Sequence, residues 1–305
     1  MSVKEISVSL FKNATTYGMG VILLKTGGIL LLPIYLMYLS PADYGVLSIV
    51  LISSSITAPF LSLGLSGGVG RYYYEYNKQN RQSYVGSVWT FNVLFSLCFI
   101  IILDSVGEKL FPLIITQVQY DPYIRLAIWT AYFSEFSSIP FIILRVSERL
   151  RLYLFLSVFA FILTAGLNLY FIIVLGMGVK GMLLGSLLSA IVMSLFWISF
   201  MLIYEVRLPF HVSYLFSTFK YSFPSIPSTI IESVGSVFDR YFLDKFLPLH
   251  MNGIYSLGKQ FGSYLLEGNK VLKTAWIPYI YKQSTQNINS LRKVLPDLSL
   301  VYFGV

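Results

Sequence analysis

Eight apolar runs, each about 20 residues long, follow one another along the 305-residue chain. They cover roughly residues 14–38, 45–70, 84–103, 123–144, 152–175, 179–204, 214–238 and 253–276. A helix of that length spans the hydrocarbon core of a bilayer, whereas a transmembrane β-strand needs only about ten residues with alternating polarity. The pattern therefore predicts an all-α, polytopic transmembrane helix bundle.

The charged residues indicate how the bundle is oriented. Only 12% of the residues are charged, against about 25% in a soluble domain. With a cytoplasmic N-terminus, the predicted inner segments hold 13 Lys and Arg residues. The predicted outer segments (40–44, 104–122, 176–180 and 240–252), counted together with Arg125 at the start of the fourth run, hold 5. The positive-inside rule favours this arrangement in the cell (plasma or inner) membrane. The net charge of +8 is then explained by orientation and by anionic lipid, not by nucleic acid.

Two local features refine this topology. The short apolar patch Leu110–Ile115 in the third connection is expected to lie along the membrane interface. Turn residues at Ser40-Pro41-Ala42-Asp43, Asp121-Pro122 and Gly176-Met177-Gly178 separate neighbouring spans. Cys98, which lies within an apolar run, is the single cysteine, so a disulfide within the chain is excluded.

The eighth run carries charges that a lipid-facing helix could not hold. Lys259, Glu267, Lys270 and Lys273 lie within about 120° of one another around the helix. One charge at the bilayer centre costs roughly 2.5–3.5 kcal/mol on insertion scales, so this stripe must face protein or water. It predicts a hydrated and mainly cationic path inside the membrane.

The seventh run carries a second polar face. Polar residues recur there at steps of three and four, and they end at Asp239 and Arg240. Glu232 is the deep charge; it is interpreted either as a structural ion pair with a lysine of the next helix or as a carboxylate linked to a proton or cation. Asp239 and Arg240 are expected near the outer interface, as an ion pair there or at a helix end. Pro224 and Pro227 predict a kinked start to this helix.

Two further cations are candidates for the path. Lys25 lies too deep in the first run for comfortable snorkelling, which favours either a cavity-facing position or a buried pair. Arg71 precedes Tyr72-Tyr73-Tyr74-Glu75-Tyr76, which is either an aromatic belt or a surface that grips a sugar or diphosphate. No metal-ligand spacing, cofactor motif or catalytic constellation is found, so no metal site, cofactor or enzyme activity is predicted.

The chain also contains a weak internal repeat. An offset of 208 positions aligns eight identical residues in about 40 positions, among them Gly45 with Gly253 and Ser48 with Ser256. The offset places the first and second runs on the seventh and eighth, which implies parallel repeats about an axis along the membrane normal. We therefore expect an N-terminal lobe of six helices at 1–212. Residues 213–305 would be an incomplete second lobe, with two full helices and the start of a third, so we expect a truncated product or fragment of a longer transporter.

Two separated segments resemble one family. The segment FKNATTYGMGVILLKTGGILLLPIYLMYLSPADYGVLS resembles the first two helices of polysaccharide biosynthesis flippases, with Pro-x-Tyr followed by a Leu-Ser-Pro-x-Asp-Tyr-Gly turn. FPSIPSTIIESVGSVFDRYFLDKFLPLHMNGIYSLGKQFG, followed by WIPYIYK, resembles helices seven and eight. The chain is thus similar to the O-antigen and capsule repeat-unit translocases of the multidrug/oligosaccharidyl-lipid/polysaccharide flippase superfamily, most strongly over 11–75 and 221–282.

The resemblance implies twelve or more helices in two lobes around a cationic central cavity. It implies that an undecaprenyl-diphosphate-linked oligosaccharide moves from the cytoplasmic to the periplasmic or outer leaflet by alternating access, for lipopolysaccharide or other surface polysaccharide. Lys25, Lys259 and Lys270 are the best matches to the family's cavity cations. The lipid bilayer and polysaccharide polymerase machinery are the further partners expected. Two alternatives stay open, a cation-coupled multidrug exporter and a membrane-embedded glycan polymerase or acyltransferase.

Overall fold

The computed structural model of the protein describes residues 26–205 and 210–263. Within these ranges every regular element is a helix. The chain divides into two compact units, one of residues Gly28–Gly258 and the other of Met1–Gly27 with Lys259–Val305. The first unit contains almost all of the described helices; residues 26, 27 and 259–263 are what the structure describes of the second.

The helices are numbered along the chain. α1 covers Thr26–Tyr38 in its described part, and α11 covers residues 249–263. Between them lie α2 (Pro41–Ser62), α3 (Leu65–Tyr72), α4 (Lys78–Leu110), α5 (Arg125–Glu135), α6 (Ser138–Val146), α7 (Leu150–Leu169), α8 (Gly178–Phe200), α9 (Val212–Ser222) and α10 (Ile226–Phe246). Short π-helical segments, Tyr170–Val174 and Met201–Glu205, extend α7 and α8.

Five segments within the described residues are long and apolar enough to cross a membrane: Pro41–Ser62, Asn80–Leu113, Tyr120–Val146, Leu150–Val174 and Gly178–Glu205. They match the second to sixth predicted runs. α10 is not among them because of its charged side chains, and the described parts of α1 and α11 are too short to cross a membrane. The prediction of an all-α, polytopic transmembrane helix bundle is confirmed.

Prolines and glycines set several boundaries differently from the prediction. The second run is not one helix, because Leu63 and Gly64 adopt left-handed backbone angles (φ 47° and 64°) and separate α2 from α3. The seventh span is shifted: α9 ends at Ser222, a 3₁₀ turn follows at Phe223–Ser225, and α10 continues to Phe246. The boundary of 214–238 was therefore wrong, since a proline ring and its missing N–H disrupt the helix where Pro224 lies.

Two predicted outer loops are also more ordered than expected. α4 extends to Leu110. In the patch Leu110–Ile115, Phe111 and Ile115 pack inward at 4% and 2% exposure while Leu113 is 75% exposed, and its position along the membrane interface stays a prediction. The expected loop 240–252 is largely helical, since α10 ends at Phe246 and α11 begins at 249.

The core of the larger unit lies between α2, α4, α5 and α8. Ile49 of α2, Ile100 of α4, Ile128 of α5 and Trp197 of α8 are fully buried. α7 packs on α8 through Gly185, where an added Cβ would lie 2.8 Å from the backbone nitrogen of Asn168. Close approach at small residues is the usual way in which membrane helices gain van der Waals contact.

Candidate functional site

α2 and the first part of α11 approach each other unusually closely. A Cβ added to Gly45 would overlap the carbonyl oxygen of Leu249, and one added to Gly253 would overlap the carbonyl oxygen of Pro41. Both positions therefore require glycine. The contact is also reciprocal, because Pro41 and Leu249 are separated by the same 208 positions as Gly45 and Gly253.

Hydrogen bonds continue this contact one turn further along both helices. The Ser256 hydroxyl lies 2.6 Å from the Ser48 hydroxyl, and these residues too are 208 positions apart. Ser48 also donates to the Asn252 side-chain oxygen at 3.3 Å. Ser48 is 3% exposed and Asn252 is fully buried, so the two helices share a dry polar contact.

α10 presents a polar face that other described helices leave uncovered. Glu232 is exposed, as are Ser225, Ser228 and Ser236. The hydroxyl groups of Ser228 and Ser236 donate to carbonyl oxygens of their own helix. Among the described residues Glu232 makes no ion pair, so neither of its two interpretations is decided.

Asp239 and Arg240 lie within α10, two turns before its end, and not at a loop boundary. Asp239 accepts a hydrogen bond from the backbone N–H of Arg240 at 2.9 Å and from the Tyr255 hydroxyl of α11 at 2.6 Å. The Nε atom of Arg240 is buried without a hydrogen-bond partner in the described ranges. Asp239 therefore connects α10 to α11.

Sequence reasoning missed Asp244, which connects α10 to the segment after α4. Its side chain is 1% exposed and accepts hydrogen bonds from the Thr116 backbone N–H at 2.9 Å and hydroxyl at 3.2 Å. Gln117 donates to the carbonyl oxygens of Asp244 and Leu247. The signal in the sequence was a second acidic residue, five positions after Asp239 in an aromatic-rich stretch, but its partner Thr116 is 128 positions away.

Arg71 forms an exposed ion pair with Glu75 at 2.6 Å, one turn further along the chain. The tyrosines around it pack against protein: Tyr72 contacts the rings of Tyr84 and Tyr221, and Tyr76 contacts Tyr84. Burial raises the pKa of the Tyr73 phenol, and the charge of Glu205 adds to that shift. These ring contacts join α3 to α4 and α9. Among Tyr72, Tyr73, Tyr74 and Tyr76, only Tyr74 is highly exposed, at 66%.

The remaining predicted residues are distributed as follows. Lys259 is half-buried on α11 and belongs to the smaller unit. Lys25, Glu267, Lys270 and Lys273 lie outside the described residues. Within the described ranges, no group of three or more His, Cys, Asp or Glu side chains could hold a metal ion.

Glu135 is a second acidic residue that sequence reasoning missed. It lies near the middle of the span Tyr120–Val146, at the end of α5, and its Oε1 atom accepts hydrogen bonds from Asn92 and Ser138. The signal in the sequence was a glutamate among serines, followed by Pro140, inside an apolar run.

Several solved transporter structures share the fold of this chain. A MATE transporter of Vibrio cholerae, VcmN, matches with a TM-score of 0.61 and 16% identity, over 97% of this chain and 72% of that chain. An outward-facing multidrug resistance MATE family transporter of the MOP superfamily matches with a TM-score of 0.60 and 17% identity, over 93% and 72%. A MOP superfamily transporter from Pyrococcus furiosus, described as having a binding pocket of reverse polarity, matches with a TM-score of 0.57 and 17% identity, over 96% and 74%.

Sequence comparison identifies the family more directly than these distant structures do. No curated protein sequence matches the chain. The sequence profile of the family described as "Polysaccharide biosynthesis protein" matches residues 38–297, which is most of the chain. The match includes the whole of the second segment that carries the resemblance and the end of the first, from residue 38. Together with the MOP fold and the membrane helices, this match shows that the chain is a multi-pass membrane protein of the polysaccharide biosynthesis protein family.

Proposed function

We propose that this chain moves an undecaprenyl-diphosphate-linked oligosaccharide from the cytoplasmic to the periplasmic or outer leaflet, for the synthesis of cell-surface polysaccharide. The observation that carries the proposal is the match of residues 38–297 to the polysaccharide biosynthesis protein family. It is supported by the polar face of α10, where Glu232 is exposed. Such a face cannot be turned towards hydrocarbon at an acceptable free energy. It therefore lines a hydrated path.

The chemistry of the substrate fits such a path. A diphosphate that carries a glycan cannot cross hydrocarbon unaided, whereas lysine side chains in a medium of low dielectric constant attract the anion strongly. Lys25, Arg71, Lys259, Lys270 and Lys273 are the proposed cations, and Glu232, Glu267, Asp239 and Arg240 the proposed coupling or ion-pair residues. The polyprenyl tail remains in lipid while the head group moves, so no covalent step is needed.

Alternating access requires two parts that move against each other, and we propose residues 1–212 and 213–305 as those parts. The reciprocal contact between α2 and α11 supports this division. Pro41 meets Gly253 and Leu249 meets Gly45, as expected where two parallel repeats approach a shared axis. Ser48 and Ser256 hydrogen-bond across this contact, and we propose it as a place where the two parts separate and close.

A cation-coupled multidrug exporter is the second candidate. The exposed carboxylate of Glu232 favours it, because cationic drugs need negative charge in the cavity, and some of the matching structures are described as multidrug resistance transporters. The family match favours the first candidate.

Deletion of the gene in its own host separates the two candidates. A flippase of lipid-linked oligosaccharide predicts that surface polysaccharide is lost while lipid-linked repeat units accumulate, and that drug resistance does not change. Complementation with the wild-type gene should restore the surface polysaccharide. Normal surface polysaccharide together with an increased sensitivity to cationic drugs would reject the flippase and support the exporter.

A further inference from the structure

The membrane span Tyr120–Val146, which corresponds to the fourth predicted run, is interrupted near its middle, where the carboxylate of Glu135 lies. α5 ends at Glu135 and α6 begins at Ser138, and the residues between them form a turn. Pro140 has no N–H with which to continue the helical hydrogen bonds, so the carbonyl oxygen of Phe136 loses its usual donor. In the turn itself, the Ser137 hydroxyl donates to the carbonyl oxygen of Ser134 at 2.6 Å. Interrupted membrane helices are common at the binding sites of transporters.

Neutral donors surround the carboxylate of Glu135. Its Oε1 atom accepts from the Ser138 hydroxyl at 2.6 Å and from the Asn92 side-chain nitrogen at 3.1 Å. None of the three ion pairs within the described ranges involves Glu135. An ionised carboxylate without a positive partner is unfavourable at this depth, and protonation is the simplest way to remove its charge.

Charged and titratable side chains on the helices that pack against α5 and α6 do not supply a partner. Within the described ranges Glu135 forms no ion pair with any of them, its hydrogen bonds are those with Asn92 and Ser138, and most of these side chains belong to the ends of the spans. The described ones are Asp43 and Tyr44 on α2; Arg71 and Tyr72 on α3; Arg81, Tyr84, Cys98, Asp104, Glu108 and Lys109 on α4; Tyr120, Asp121 and Tyr123 before α5; Arg125 and Tyr132 on α5; Arg145 on α6; Arg151 and Tyr153 on α7; and Lys180 on α8.

Asn92 is suited to hold either protonation state. It is 1% exposed, and its Oδ1 atom has no hydrogen-bond partner in the described ranges. Its amide nitrogen donates to the carboxylate as observed, and after a rotation of the amide its oxygen could accept a hydrogen bond from a protonated carboxyl group. A buried acceptor without a partner is unfavourable, so the Asn92 oxygen would gain a hydrogen bond when Glu135 is protonated.

We propose that Glu135 binds and releases a proton inside the membrane during the transport cycle, with Asn92 and Ser138 as positioning residues. A proton fits this site better than a sodium ion. A hard cation is surrounded by oxygen lone pairs, whereas both neighbours of Oε1 direct hydrogen atoms at it. The site is distinct from the polar face of α10, so the inference does not depend on which substrate is transported.

The test is a pH jump on proteoliposomes of the full chain, adsorbed to a solid-supported membrane, with no glycan present. The wild-type protein should give a transient charge movement as the proton binds. Glu135→Gln should lose it, because an amide cannot titrate. Glu108→Gln is the matched control, since Glu108 is an exposed glutamate at the end of α4, and it should keep the transient.

Two further variants keep the test decisive if Glu135→Gln does not fold. Glu135→Asp should retain a transient with an altered pH midpoint. Ser138→Ala should move the midpoint up by about one pH unit, since the ionised form loses one hydrogen bond. The proposal would be overturned if Glu135→Gln gave the same transient as the wild type, or if the midpoint were unchanged in both other variants. It would also be overturned if the wild type gave no transient, or gave one with sodium but not with protons. None of these results would alter the surface-polysaccharide phenotype of the deletion.

Discussion

α7 and α10 both have large uncovered surfaces, but only α10 has a polar face in addition to exposed apolar side chains, which there include Ile231 at 72% and Phe238 at 52%. On α7 the uncovered side chains are apolar, with Phe155, Phe159 and Ile162 exposed by 65%, 46% and 61%. On α10 an uncovered glutamate, Glu232, lies one turn from the uncovered Ser228 and Ser236. In a membrane protein, exposure by itself therefore does not identify the surroundings. The residue types differ, so we expect lipid around α7 and water along the polar face of α10.

A lysine placed on each surface should give the largest effect. Phe159→Lys is expected to reduce the amount of folded protein in the membrane, since a charge at mid-span costs roughly 2.5–3.5 kcal/mol. Ser236→Lys should have little effect, because position 236 lies one turn after Glu232 and the pair has opposite charges. The measurement is the yield and thermal stability of detergent-extracted protein by fluorescence-detected gel filtration. Equal losses in both variants would contradict the contrast between the helices.

Access to water should differ between the same two positions. In a Cys98→Ala background, Ser236→Cys should react with a membrane-impermeant thiol reagent, whereas Phe159→Cys should not. Cys98 is the one cysteine of the chain, so its replacement by alanine leaves no other thiol to react with the reagent. Labelling at 159 but not at 236 would reverse the assignment of the two surfaces.

Substitutions of the lysines in the eighth run test whether the predicted cationic path binds substrate. Lys259→Ala and Lys270→Ala are each expected to reduce surface polysaccharide while the protein remains in the membrane. Lys259→Arg should be milder, because it keeps the positive charge that a diphosphate requires. Lys282→Ala, in a predicted inner segment, is the control. Normal surface polysaccharide in both alanine variants would exclude diphosphate binding and favour an ion-pair lattice between helices.

Arg71 should give the smallest effect on stability. Its ion pair with Glu75 is exposed and spans one helical turn, so Arg71→Ala should lower the free energy of unfolding by at most about 0.5 kcal/mol. A thermal unfolding curve indistinguishable from that of Lys220→Ala, a charge removal on the short helix α9, would agree with this. A large loss of stability would mean that Arg71 makes stabilising contacts in addition to its ion pair with Glu75.

Local features of the fold were accessible from the sequence because they depend on neighbouring residues. The motif Ser40-Pro41-Ala42-Asp43 forms a capping box, in which Ser40 and Asp43 satisfy each other's backbone N–H groups at the start of α2. Gly176 and Gly178 adopt positive φ angles of 63° and 54° between α7 and α8, as the predicted turn requires. The boundaries of the seventh span were missed because two prolines there permit more than one helix start.

The candidate site was less accessible, because its contacts join residues far apart in the chain. Gly45 was expected to be equivalent to Gly253, but the two could not be known to lie on touching helices. Asp244 and Glu135 received no role, since their partners Thr116 and Asn92 are 128 and 43 positions away. The cationic stripe at 259–273 lies mostly outside the described residues and stays a prediction.

By itself, the sequence determined that this protein is a helical membrane protein of a polysaccharide biosynthesis family. Run length and hydropathy decide whether a segment enters a bilayer, and both can be read along the chain. The tertiary structure alone decided that Ser48 meets Ser256 and that, among the residues the structure describes, Glu135 is hydrogen-bonded by neutral donors and paired with no cation. Those facts depend on which helices pack together and at what rotation, and that is settled by the summed packing of many side chains and not by any one segment.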